Sequence, residues 1–366
     1  MQASNEGVDW KRLTDEKGHF QRPATVIRNF ISRESGSRFP AERGRYHLYV
    51  SYACPWAHRV LIARKLKGLE DIISFSAVHW HLDFQTGEFP RLSHNLGLTD
   101  SEGWRFATPA DTDAEGENVV PDPLHDNFTH LREVYFETDP DYAARFSVPV
   151  LFDKIQQVIV NNESSEILRM FGTEFDDLIE EKYRAVSLYP PEHQHEIDEA
   201  HEWQYDNINN GVYRCGFAST QYAYDQDVMA LFGALDRVEA HLAANPGPYW
   251  LGNNISEIDI RLVWDTKLLF NFVTIIRFDP VYTYHFKCNL RDIRSGYPHI
   301  HKWLRTLYWE VPAFKDTTNF LHIKNHYTRS HINLNPSAIT AAGPSPDILG
   351  PAEDVAAAKF AAQRRQ

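Results

Sequence analysis

Cysteine is scarce in this chain: Cys54, Cys215 and Cys288 are the three thiols in 366 residues. Their wide spacing gives neither a disulfide framework nor a zinc pattern, and it suits a reducing compartment. Basic charge is also in deficit, with 37 Lys and Arg against 50 Asp and Glu, a net of −13. Nucleic acids and anionic membranes demand a basic footprint, so neither is expected as a partner. A local basic pocket for a small anionic peptide is still compatible with that balance. No apolar run reaches the roughly 18 residues needed to span a membrane. The polar start, Met1 to Arg12, is followed by no apolar stretch, so no signal peptide is expected and the cytoplasm is the expected location.

What the chain does hold is enough apolar residue, 43%, for sizeable cores, and its length argues for two domains. The chemistry concentrates at Ser51-Tyr52-Ala53-Cys54-Pro55-Trp56-Ala57-His58-Arg59. The apolar run Tyr46 to Val50 before it reads as a strand. Val60 to Leu66 after it has helical apolar spacing. Cys54 thus falls on a strand-to-helix turn, with Pro55 suited to the first helical position. A thiol there faces the unpaired N–H groups of the helix, and such cysteines have pKa values of roughly 3.5–7.5. The plainer reading is a buried structural cysteine; the Cys-Pro junction favours the nucleophile. Ala57 stands where a resolving thiol would sit in a Cys-x-x-Cys motif. A mixed disulfide on Cys54 must therefore be cleared by an external thiol, most simply glutathione.

Along the chain, residues 1–42 read as an extension, an extended arm anchored by Trp10, Phe20, Phe30 and Phe39. Residues 43–175 read as an α/β domain that opens strand, helix, strand, the second strand being Ile72 to His79. Within it, 81–127 is a long acidic loop rich in Gly, Pro, Thr and Asp. His79-Trp80-His81-x-Asp83 puts alternating histidines on one strand face, which could bind a cation. No further ligands follow, and the expectation is a strand end with solvated histidines and no metal. Ser147 to Phe152 and Val158 to Val160 form a hairpin, although Pro149 is out of place in a central strand. Asn161 to Glu166 precede an apolar helical run and make a helix N-terminus. That is ordinary capping; equally, its N–H groups with Ser164 can bind a carboxylate while Glu163 pairs with an ammonium. A charged linker leads to an all-helical domain, 190–330, with helices at Ile197–Gly211, Tyr224–Ala244, Glu257–Phe272 and Tyr297–Tyr308. Ser256-x-x-Asp259 makes a helix-start capping pair. Residues 331–366 read as a Pro- and Ala-rich extension ending in a frayed helix or disorder.

The segments CPWAHRVLIARKLKGLEDIISFSAVHWHLD, RFSVPVLFD, IVNNESSEILRMF, INNGVYRCGFA, IRFDPVYTYHFKCN and HIKNHYTRSH occur in that order. Together they resemble the glutathionyl-hydroquinone reductases, the Xi class of glutathione transferases, close to the omega class. The resemblance runs from about Arg43 to about Pro346, with His81 to Glu102 longer than the family's spacing. It implies a thioredoxin-like N-terminal domain with a cis Val148–Pro149 bond, an all-helical transferase C-terminal domain, a homodimer, and glutathione as co-substrate. It assigns Cys54 as nucleophile and Trp104, Arg145, Phe146, Ser147, Val148, Glu163 and Ser164 to glutathione. The γ-glutamyl end then falls to Glu163 and Ser164. Tyr213, Tyr282 and Tyr327 match the family's active-site tyrosines, with Tyr284 close to Tyr282.

The implied reaction has two sulfur-transfer steps. The Cys54 thiolate attacks the sulfur of a glutathionyl-hydroquinone, and the aromatic carbon leaves with the electron pair. A bare aryl carbanion is a very poor leaving group, so an acid must protonate that carbon, and Tyr213 is the matching donor. A second glutathione then attacks the mixed disulfide and releases oxidised glutathione. The alternatives are an omega-like thiol transferase or dehydroascorbate reductase, and a ligandin without turnover.

Overall fold

The computed structural model describes residues 13–343 except 23, 85–100, 246, 261–271 and 333. Trp10, most of the insertion after His81, the centre of the helix expected over Glu257–Phe272 and the Ala-rich tail lie outside the described residues. The chain divides into two compact units. Arg22–Val186 with Thr317–Ala338 form the first, and Thr14–Gln21 with Ser187–Asp316 form the second.

The first unit is built on a four-stranded sheet whose strands lie in the order Ser74–Ala77, Tyr46–Val50, Val150–Asp153, Val158–Asn161. Strand β1, Tyr46–Val50, is buried along its whole length. Helix α1, Pro55–Leu66, carries the chain over to β2, Ser74–Ala77, which pairs parallel with β1 from His47↔Ser74 to Val50↔Ala77. Parallel neighbours need such a crossover. Gly68, at φ 60°, ends α1, and a Cβ there would lie 2.3 Å from the Tyr183 ring. Strand β5, Val150–Asp153, pairs antiparallel with β1, and β6, Val158–Asn161, with β5. Pro149 stands just before β5, where its missing N–H costs no ladder bond. The core under the sheet includes Leu48, Val50, Val60, Leu61, Phe152 and Ile167.

Strands β3, Leu82–Phe84, and β4, Ser101–Trp104, form an antiparallel ribbon inside the stretch expected to be a loop. Helix α2, Leu131–Thr138, and helix α3, Ser164–Thr173, complete the body of this unit, and α3 packs on α1. Helix Phe320–Ser330 also belongs here, although its helical pattern groups it with the preceding helices in the sequence. Side-chain bonds hold it: His58 Nε2 lies 3.0 Å from Thr317 Oγ1, and Ser330 Oγ accepts the Leu82 N–H at 3.1 Å. In the arm, Asn29 N donates to Val160 O at 3.0 Å along the β6 edge. Phe39 is buried, whereas Phe30 is 37% exposed.

The second unit is helical among its described residues. It contains α4 (Gln194–Gln204), α5 (Gly211–Phe217), α6 (Gln221–Ala244) and α7 (Pro298–Glu310), with short helices Glu257–Ile260 and Phe272–Ile275. Thr220 caps α6 by accepting the Ala223 N–H at 3.1 Å. The expected capping pair forms, as Asp259 Oδ2 accepts from Ser256 N at 3.0 Å. Residues 14–21 pack here through Phe20, whose ring lies 5.3 Å from that of Phe217. No helix of the described residues is long and apolar enough to cross a membrane.

Candidate functional site

Cys54 is the N-cap residue of α1, with extended backbone (φ −78°, ψ 119°) and Pro55 directly after it. Its carbonyl accepts the first helical bond from His58 N at 2.9 Å, and its own N–H donates to Ser51 O at 3.1 Å. The half-buried Sγ lies 3.6 Å from Val148 O. Val148–Pro149 is the chain's cis peptide bond among the described residues. The nucleophile candidate and the segment Arg145 to Val148 are thus brought together across 94 positions of sequence.

Glu163 is the N-cap of α3, and Ser164 is its first residue. Glu163 Oε1 accepts from Ser165 N at 3.1 Å and Ser165 Oγ at 2.9 Å, and Oε2 from Thr25 Oγ1 at 2.9 Å. The fully buried Arg59, on α1, reaches the same point: Nη2 donates to Ser164 Oγ and lies 3.6 Å from Glu163 Oε1. Burial pushes the Glu163 carboxyl upward, but Arg59 and the Ser165 and Thr25 donors outweigh it and hold the carboxyl below its ordinary value. Thr25 and Arg59 were not singled out from sequence. Arg59 carried a signal nonetheless, as a charged residue inside the apolar face of a helix that follows Cys54.

Tyr135 links two stretches of the site. Its hydroxyl donates to Ser147 O at 2.7 Å and accepts from Asn162 Nδ2 at 3.1 Å. Burial pushes its pKa up to about 12, so it stays a donor. Phe146 packs edge-on against Tyr135, with centroids 5.5 Å apart, and Arg145 O accepts from Tyr142 Oη at 3.1 Å. Trp104, at the end of β4, is buried and stacked on His326. Tyr327, the next residue, is buried on the helix Phe320–Ser330.

Tyr213 and Tyr282 lie in the second unit, with ring centroids 6.2 Å apart. Phe286 joins them, 5.3 Å from each. A π-helical turn, Tyr205–Asn209, precedes α5, which carries Tyr213, and another, Phe278–Tyr282, ends on Tyr282 itself. Such turns insert a residue and re-aim the side chains that follow, often at functional sites. Tyr282 is fully buried in this cluster, whereas Tyr284 is half-buried and its pKa is raised by burial.

His79 is buried, not solvated as expected. Its Nδ1 accepts the His81 N–H at 3.0 Å, which leaves the ring proton on Nε2. Nε2 lies 3.7 Å from Asp111 and 3.6 Å from Asp113, and the three groups fall within 4.8 Å of one another. Arg105 also binds Asp111, at 2.8 Å. His81 turns to Asp83, at 3.0 Å.

Residues 53–174 match the family model of the glutathione S-transferase N-terminal domain, and 221–306 match that of the C-terminal domain. The crystal structure of a Xi glutathione transferase from Saccharomyces cerevisiae in complex with glutathione is similar, with a TM-score of 0.78 and 38% identity. The match covers 91% of this chain and 99% of that one. This chain belongs to the Xi class of glutathione transferases. Two curated relatives of this Xi-class transferase extend the comparison. A glutathione S-transferase omega-like protein of Schizosaccharomyces pombe is 46% identical over 342 residues, 93% of this chain and 97% of the relative. A glutathionyl-hydroquinone reductase of Escherichia coli is 42% identical over 348 residues, 93% and 94% respectively. The N-terminal match takes in Cys54, Trp104, Arg145 to Val148, Glu163 and Ser164 of the transferase. The C-terminal match takes in Tyr282 and leaves Tyr213 and Tyr327 outside it.

Proposed function

We propose that this transferase reduces S-glutathionyl-hydroquinones to hydroquinones at the expense of glutathione, through a mixed disulfide on Cys54. The observation that carries the reading is the placement of Cys54 at the N-cap of α1, within 3.6 Å of the Val148 carbonyl. An unpaired helix N-terminus favours a thiolate. Glu163 and Ser164 cap α3 in the same unit and offer an anion and a hydroxyl for the γ-glutamyl end. With Ala57 in place of a second thiol, the disulfide on Cys54 waits for glutathione. Trp104 and Arg145 to Val148 complete the glutathione side. Tyr213 is the proton donor to the aromatic carbon, and Tyr282 and Tyr327 donate to the quinol oxygen or the thiolate. The name of the Escherichia coli relative supports this substrate class.

The name of the Schizosaccharomyces pombe relative favours a second reading, an omega-like thiol transferase with the same thiolate and the same glutathione site. Mass spectrometry of the products from glutathionyl-benzohydroquinone plus glutathione separates the two. Free hydroquinone and oxidised glutathione in equal amounts are expected; an unchanged conjugate alongside turnover of small mixed disulfides would establish the second reading instead. The three thiols form no disulfide and fit a reducing compartment such as the cytoplasm. A homodimer is the proposed assembly.

A further inference from the structure

Arg59 is among the largest fully buried side chains of the first unit. A guanidinium removed from water is costly unless anions and acceptors compensate it. Its compensation lies at the start of α3: Nη2 donates to Ser164 Oγ and stands 3.6 Å from Glu163 Oε1, and the guanidinium carbon lies 4.8 Å from the centre of the Trp56 ring. Guanidinium has five donors and no acceptor. Ser164 Oγ is therefore an acceptor toward Arg59, and its own proton is turned toward another acceptor.

That polarity matters for what can bind. Glu163 is negative and already receives Thr25 and Ser165, so an incoming ammonium meets an ordered carboxylate. Ser164 presents O–H, next to a buried positive charge and the positive end of α3. The pair of charges Arg59⁺ and Glu163⁻ is thus complementary to a zwitterion held in the opposite sense, ammonium on Glu163 and carboxylate on the Ser164 side.

We propose that Arg59 is a positioning residue that makes the site selective for the α-carboxylate of a γ-glutamyl group, by fixing Ser164 as a hydrogen-bond donor and by placing a buried positive charge behind it. The inference rests on the reading that the γ-glutamyl end docks at Glu163 and Ser164. Arg59 sits on the same helix whose N-cap is Cys54, so one element carries both the nucleophile and the support for ligand recognition.

The test compares two ligands by calorimetry on the full chain. One is glutathione. The other is 4-aminobutyryl-cysteinylglycine, which keeps the ammonium and lacks only the α-carboxylate. The wild-type protein is expected to favour glutathione by roughly 10–100-fold, the scale of a hydrogen bond to a charged group. Arg59→Gln is expected to bring the two ligands within roughly threefold of each other, the loss falling on glutathione. A merely structural role would weaken both ligands alike and keep their ratio, and that result overturns the proposal. Should Arg59→Gln fail to fold, Arg59→Lys decides on the same ratio; it keeps the charge without the planar fork, and an intermediate ratio is expected. A wild-type protein that binds both ligands equally overturns the docking reading and this inference with it, whereas selectivity undiminished from wild type in the Arg59 variants overturns this inference alone.

Discussion

The indole of Trp104 stacks on the imidazole of His326, with ring centroids 4.8 Å apart and planes 27° from parallel. His326 Nδ1 lies 2.9 Å from Trp80 O, and a carbonyl partner puts the proton on that nitrogen. One side chain thus ties β4 and the bend before β3 to the helix that bears Tyr327. His326→Ala removes the stack and leaves the Trp80 carbonyl unpaired, at a cost of about 1–3 kcal/mol of stability. His326→Phe keeps the stack and should recover part of the loss. Thermal unfolding measures the first effect. If Trp104 contacts glutathione, calorimetry on His326→Ala will also show weaker glutathione binding, and unchanged affinity removes Trp104 from the proposed site.

Glu163 supplies a pH prediction. Its folded-state pKa is held below the ordinary value of 4.5, so its contribution to stability is fully present above that value. The contribution is lost as pH falls through the lower, folded-state value. Glutathione affinity should therefore be level from neutral pH down to about the ordinary glutamate range and should weaken below it. Glu163→Ala should cost about 1–3 kcal/mol of glutathione binding at neutral pH, the scale of a charged hydrogen bond. Equal affinity of Glu163→Ala and the wild type in calorimetry would rule out the docking of the ammonium there.

Gly216 is the residue that admits Phe286 to the tyrosine cluster. A Cβ at 216 would stand 2.3 Å from Phe286 Cδ1, and Phe286 is fully buried, so it has no free direction in which to yield. Phe286 in turn lies parallel to Tyr282, with planes 2° apart. Gly216→Ala should destabilise the second unit by about 1–3 kcal/mol through overpacking. It should also lower turnover, because Phe286 positions both Tyr213 and Tyr282. A variant with wild-type unfolding temperature and wild-type turnover would show that the cluster tolerates displacement.

The strand β1, the Cys54 turn and the β5–β6 hairpin were legible because local chemistry and period agree there. Tyr46 to Val50 alternates nothing, being buried on both faces, and its aromatic and β-branched content still marks it as a strand. The ribbon of β3 and β4 was not legible. Its strands are short, three and four residues, and are separated by a long polar stretch, so no period develops. Arg59 and Thr25 were missed for a different reason. Their partners, Ser164 and Glu163, lie 105 and 138 positions away, and no sequence pattern encodes a contact at that range. The π turns that precede α5 and end on Tyr282 are equally silent, since one added residue in a helix leaves the apolar spacing nearly intact.

Cys54→Ser should abolish reductase activity, because an alcohol at neutral pH is neither ionised nor thiophilic. Glutathione binding should survive in that variant. Cys215 and Cys288 are both buried, and burial together with the neighbouring Cys215 raises the Cys288 thiol well above its ordinary value. Their serine variants should keep the chemistry with modest losses of stability. Full activity in Cys54→Ser, followed by product analysis, would mean that another thiol carries the reaction.

Tyr213 separates the breaking of a carbon–sulfur bond from sulfur exchange. The first needs an acid for carbon; the second does not, because a thiolate leaves unaided. Tyr213 is almost fully buried beside Phe217, Tyr282 and Phe286, so Tyr213→Phe keeps the ring packing and removes only the hydroxyl. Reduction of a glutathionyl-hydroquinone should then slow by an amount on the order of 10²–10⁴, the contribution of a general acid. Activity toward a small mixed disulfide of glutathione should be largely retained, since Cys54 suffices there. Steady-state rates with the two substrates, measured on the same preparation, give the ratio directly. Equal losses on both would assign the hydroxyl to activation of the Cys54 thiolate, and no loss on either would move the proton donor to Tyr282 or Tyr327.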